Sequence, residues 1–152
     1  MTETILVSYN QICVFDATLD DPFNDWTDEH VCQGFAWRPG SVSFGATENV
    51  EITLTVEVVN SVVLDPAAFR VIAVPFTVPA SGAVVVGSIG DEREVEIAAG
   101  TYSLVFELAS KEKRPWCRLS FVADPYPQVQ VIKADAEITR LDALVMHANP
   151  AA

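Results

Sequence analysis

Histidine is nearly missing from this chain: only His30 and His147 occur in 152 residues. That scarcity removes most routes to a histidine-centred catalytic site. Cations are scarce as well. Lys and Arg total 9 against 21 Asp and Glu, the formal net charge is -12, and no Lys or Arg precedes Arg38. A phosphate backbone or an anionic membrane needs neutralising cations, so direct nucleic-acid or membrane-surface binding is disfavoured. The three cysteines, Cys13, Cys32 and Cys117, are an odd number with no Cys-x-x-Cys spacing, which argues against a disulfide framework or a structural zinc site. The first ten residues lack a basic region and a long apolar run, so no signal peptide is read there and a reducing, cytoplasmic setting is expected.

Long uninterrupted apolar runs are also lacking. The twenty residues between Arg70 and Asp91 carry no charge and are long enough to span a bilayer, but Pro75, Pro79, Gly82 and Gly87 interrupt them. A turn at mid-bilayer would strand backbone groups, so two strands joined by a hairpin or short loop are the expected structure.

Half of the residues are hydrophobic, enough to bury a core, and the length is that of one domain. Period-2 alternation dominates. Val50, Ile52, Leu54, Val56 and Val58 point one way while Glu51, Thr53, Thr55 and Glu57 point the other. Tyr102, Leu104, Phe106 and Leu108 repeat the pattern, as do Val95 and Ile97. Further strands are expected over 4–16, 41–46, 70–78, 83–89, 116–123 and 128–138, separated by turn signals such as Arg38-Pro39-Gly40 and Asp124-Pro125-Tyr126-Pro127. About nine short strands without βαβ alternation predict an all-β fold, an antiparallel β-sandwich. One short helix is expected at 27–33. Asp25 or Thr27 would cap it, Asp28 and Glu29 would complement its dipole, and Gly34 would stop it. Residues 1–139 form a single sandwich domain in this reading, and 140–152 a loose tail or short helical turn.

Chemistry-bearing motifs fail on spacing. His30 and Cys32 lie two apart and would not face each other on a helix. Ser110-Lys111-Glu112-Lys113 has Ser-x-x-Lys spacing but follows a strand and leads into Pro115, so a charged loop is expected. Gly82 to Ile89 begins like a phosphate loop but lacks its Lys. The acids Asp16, Asp20, Asp21, Asp25 and Asp28 do not match a calcium-loop spacing, although loops of sandwich proteins can hold calcium. No catalytic residue, metal site or cofactor is therefore expected, and the chain is read as a binding protein and not an enzyme. Its charge favours a basic protein partner, drawn in by long-range steering.

The strand Val7-Ser8-Tyr9-Asn10-Gln11-Ile12-Cys13-Val14-Phe15, then Asp25-Trp26-Thr27-Asp28-Glu29, Gln33-Gly34-Phe35-Ala36 and Gly40-Ser41-Val42-Ser43-Phe44, resembles the competence protein J (ComJ) family. Val74-Pro75-Phe76-Thr77-Val78 and Gly100-Thr101-Tyr102-Ser103-Leu104 are similar to later segments of that family. The resemblance implies an inhibitor of a DNA-entry nuclease of bacterial competence systems, brought to the membrane through its partner. By motif and charge, Asp25, Trp26, Asp28 and Glu29, with Asp20 and Asp21, are the candidate partner-binding residues. A nuclease-toxin immunity protein, a small-ligand- or calcium-binding sandwich module, and a homo-oligomer stay open at this stage.

Overall fold

The computed structural model describes residues 1–109 and 114–152; the Ser110 to Lys113 motif lies outside the described residues. Two sheets pack face to face. Sheet A contains six strands in the order β1 (Thr2–Leu6), β5 (Glu51–Val59), β10 (Trp116–Ala123), β9 (Gly100–Ala109), β6 (Arg70–Val78) and β11 (Gln130–Lys133). Sheet B contains five, in the order β3 (Phe35–Arg38), β4 (Ser41–Gly45), β2 (Gln11–Asp16), β7 (Ala83–Ser88) and β8 (Asp91–Glu96). One short helix, α1 (Asp28–Gln33), precedes β3. The sandwich is as the alternation predicts, and the helix as its capping and stop residues predict.

Several details differ from the sequence reading. The expected strand over 4–16 is two strands in opposite sheets, split by a tight turn at Tyr9 and Asn10. Ile5 and Val7 enter the core from one side and Ile12 and Val14 from the other, so alternation restarts after the turn. The charge-free run forms β6 and β7, but these lie in different sheets, so a short loop crosses the sandwich and there is no hairpin. The β5–β10 pair is parallel, with Leu54 opposite Cys117, while the other ladders are antiparallel. Strand β3 has no counterpart among the expected strands, because four residues are too few to show a period. The segment over 128–138 keeps only four strand residues. Val50, just before β5, and Val58, near its end, are expected inside but are exposed, whereas Ile52, Leu54 and Val56 are buried.

The core is where the two sheets meet. Phe44 of β4 stacks on Phe106 of β9 with ring centroids 4.5 Å apart and planes 2° from parallel. Phe121 of β10 takes the edges of Phe76 and Tyr102. Each of these rings is buried. The outer faces are covered by loops. Segment 17–26 lies over sheet B: Phe23 meets Phe15 edge-on, and the Asn24 amide donates to the Ala36 and Ser41 carbonyls. Segment 60–69 lies over sheet A, where buried Glu107 accepts from the Arg118 guanidinium and from the Asp65 N–H. Cys13 and Cys117 are buried free thiols, and burial pushes the Cys13 thiol up to about 12. Cys32 is half-buried and also free.

The open edges of the two sheets are tied together at β1 and β8. The Leu6 N–H donates to Asp91 Oδ2 at 2.8 Å, and Arg93 pairs with both Asp91 and Glu3. Together these hold the Asp91 carboxyl below the usual carboxylate range, the Leu6 N–H being the larger cause.

Two predictions follow from the packing and this tie. Phe106→Ala removes half of the stacked pair and leaves a cavity; urea unfolding should show a loss of about 3–5 kcal/mol. A depressed carboxylate favours the folded state above its unfolded pKa of about 3.9, and that contribution disappears as pH falls through the lower folded value. Asp91→Asn should therefore lower stability near neutrality and show a shallower loss of stability than wild type on acidification below about pH 4. Equal acid limbs in the two proteins would contradict the tie.

Candidate functional site

The Asp-Trp-Thr-Asp-Glu segment leads into α1. Thr27, and not Asp25, is the N-cap: its hydroxyl accepts from the His30 N–H, while His30 Nδ1 accepts from the Thr27 N–H at 3.0 Å. With Nδ1 accepting, His30 Nε2 carries the proton and donates to the His147 carbonyl at 2.9 Å. Buried His30 is thus a helix-capping residue, not a metal ligand. Gly34 ends the helix at φ 85°, its N–H returning to the His30 carbonyl.

The residues after 139 form no helical turn. They bend at Asp142 and Ala143 and then cross α1 as a strap. The Gln33 amide, fully buried, donates to the Val145 carbonyl and accepts from the Val145 N–H. The Asp25 N–H donates to Asn149 and the Ala151 N–H to Phe23.

Freed from capping, the Asp25 carboxylate is exposed, as are Asp20, Asp21, Asp28 and Glu29. Glu29 is held below the usual carboxylate range by its own backbone N–H and then by the Thr27 hydroxyl. All five acids lie along the segment that covers sheet B and enters α1. Trp26 is half-buried beside them. Its indole N–H donates to Gln11 Oε1 at 3.3 Å, and its ring stands edge-on to His30 at 6.4 Å. It therefore joins the helix to β2, and at the same time lines a cleft.

That cleft, of about 530 Å³, was not foreseen from the sequence. Tyr9, Asn10 and Gln11 line it with Trp26 and Val31, and Gly45, Arg70 and Glu137 are among the remaining lining residues. Gly45 keeps it open: a Cβ there would stand 3.2 Å from Arg70 Nη1 and 3.7 Å from the Trp26 ring. The buried Arg70 guanidinium donates to both Asp135 oxygens at 2.9 Å and to the Gly45 carbonyl at 2.8 Å, and reaches Glu137 at 3.4 Å. These residues come from five places in the chain, so no local pattern could have announced them. A second feature did have a local signal. Glu92, Glu94 and Glu96 alternate along β8, opposite Gly87, Val85 and Ala83, and point outward from sheet B. Among the described residues no three His, Cys, Asp or Glu side chains converge as a metal site, and no helix is long and apolar enough to cross a membrane.

Asp135→Ala would leave the Arg70 guanidinium buried without its bidentate partner. The expected loss is about 3 kcal/mol in urea unfolding, with the cleft the first region to lose amide-exchange protection.

Comparison with known proteins places this geometry in context. A family model described as competence protein J (ComJ) matches residues 4–122. A DNA-entry nuclease inhibitor from Bacillus subtilis (strain 168) is 28% identical over 102 residues, which cover 67% of this chain and 76% of that protein. The crystal structure of ComJ from Bacillus subtilis, described as an inhibitor of the DNA degrading activity of NucA, superposes with a TM-score of 0.72 at 23% identity, covering 82% of this chain and 96% of that one. The superposition shows a shared fold, and the family match runs from β1 into β10. The chain belongs to the competence protein J (ComJ) family.

Proposed function

We propose that this chain binds and blocks a basic, DNA-degrading nuclease, acting as an inhibitor and not as an enzyme. The observation that carries the reading is its membership of the ComJ family together with its likeness to a DNA-entry nuclease inhibitor. The charge supports it. A nuclease groove is lined with cations that hold phosphates, and a chain of net charge -12 is drawn toward such a groove.

Sheet B carries the acids this mechanism would use. Asp20, Asp21, Asp25, Asp28 and Glu29 lie on or beside the segment covering its outer face. Glu92, Glu94 and Glu96 stand on that same outer face at its β8 edge. Successive outward residues of a strand are about 6.8 Å apart, close to the spacing of phosphates along a nucleic-acid strand. In this reading the carboxylates of sheet B take the place of the DNA backbone and Trp26 anchors the contact. The activity at the membrane belongs to the partner; this chain acts from the cytoplasmic side through it.

Charge reversal tests the mechanism. Glu92→Lys, Glu94→Lys and Glu96→Lys together should slow association with the nuclease about 10- to 100-fold at low salt, while the wild type loses on-rate steeply as ionic strength rises. Stopped-flow binding and a DNA-cleavage assay read both. Association indifferent to salt and to the triple substitution would refute an electrostatic mechanism.

A further inference from the structure

The turn between β1 and β2 is unfavourable on its own account. Tyr9 and Asn10 sit at φ 55° and 53°, between Ser8 and Gln11, which close the turn with a 3.3 Å bond from the Gln11 N–H to the Ser8 carbonyl. Turns with two left-handed central residues are made readily by Asn-Gly or Asp-Gly. Asn10 suits its place and is pinned there, donating its N–H to Asn49 Oδ1 at 2.8 Å and accepting from the Ala46 N–H at 2.7 Å. Tyr9 does not suit it. A bulky side chain at positive φ is a backbone outlier, and this one is 73% exposed, so burial returns little. The strained backbone costs folding free energy, and the exposed ring recovers little of it by burial. Such strain is commonly retained where a ligand is gripped.

Tyr9 lines the same cleft as Trp26. Trp26 is fixed by its bond to Gln11, which belongs to the turn. The polar side of the cleft carries Arg70, already engaged by Asp135, and Glu137, whose side chain is 69% exposed and only loosely held by Arg70. Arg70 with its two carboxylate partners bears one net negative charge. Two aromatic rings and a solvated carboxylate around a pocket of this size match the chemistry of a guanidinium. Such a group stacks on Trp and Tyr faces and pairs with a carboxylate in one plane. Trp, Tyr and Arg are also the residues that dominate interface hot spots.

We infer that the cleft is a socket for one arginine side chain projecting from the protein partner, held between Tyr9 and Trp26 with Glu137 as its counter-ion. The identity of that partner rests on the inhibitor reading; the chemistry of the socket does not. The socket would add specificity to the diffuse attraction of sheet B, because it accepts one planar cation at one place.

The test separates the two claims. The full-length protein is titrated with N-acetyl-arginine amide while NMR follows the Trp26 indole N–H. A saturable shift is expected, about fivefold weaker with the uncharged N-acetyl-citrulline amide and about fivefold weaker in Tyr9→Asn. Glu137→Gln should erase the preference for arginine over citrulline. Tyr9→Asn relieves the turn, so its melting temperature should equal or exceed that of the wild type. An equal response to citrulline or to acetate, undiminished binding in Tyr9→Asn, or a lowered melting temperature there would overturn the socket. So would a shift of the same resonance on concentrating the protein alone, which would make a second copy the occupant. In the nuclease assay, a wild-type chain that fails to inhibit although arginine binds removes the partner's identity and leaves the socket. Full inhibition by Tyr9→Asn with no arginine response removes the socket and leaves the inhibitor.

Discussion

Each strand here must give one face to the opposing sheet, and everything else is arranged around that requirement. The stacked Phe44 and Phe106 rings are its clearest expression, one from each sheet and both fully buried. Because the apolar face recurs every second residue, a slip of one residue would turn a whole strand outward. The chain meets the constraint by crossing repeatedly between sheets, at β1 to β2, β4 to β5, β6 to β7 and β8 to β9. Each crossing needs a turn or loop, and the first of them holds Tyr9 and Asn10 at positive φ beside the cleft.

The outward faces are handled differently from the core. Sheet A covers a buried carboxylate, Glu107, with a loop and an arginine. Sheet B is covered by the acidic segment that leads into α1. Polar groups hold that cover down: Asn24 on two carbonyls, and Gln33 and His30 on the C-terminal strap. With the backbone secured by neutral amides and an imidazole, the carboxylates of Asp20, Asp21 and Asp25 face solvent, as does Asp28 in the first turn of α1. In the proposed reading such a surface speeds capture of a basic partner, at the cost of some self-repulsion in the folded state.

In the proposed reading the cleft answers a different need. Diffuse charge attracts any cationic surface, whereas discrimination needs a group that only one partner geometry can satisfy. The turn at Tyr9, the indole of Trp26 and the Arg70 guanidinium held by Asp135 come from distant parts of the chain and meet around one cleft. A rigid scaffold carrying strained or exposed residues on its connections is the usual division of labour between strands and loops.

Much of this was legible in the residue order. Alternation through Ile52, Leu54 and Val56 and through Tyr102 to Leu108 specifies half-buried strands, because a side chain's face in a strand depends only on its parity. Asp28, Glu29 and Gly34 delimit a helix because dipole and capping effects are local. The resemblance to ComJ was legible for a related reason: its motifs lie within short continuous stretches. Which strands share a sheet was decided only in three dimensions, since parity is silent about partners; hence the unexpected parallel β5–β10 pair and the division of 4–16 between sheets. The cleft was equally hidden, because it joins residues as distant as Tyr9 and Glu137, and proximity of that kind exists only once the chain has closed on itself.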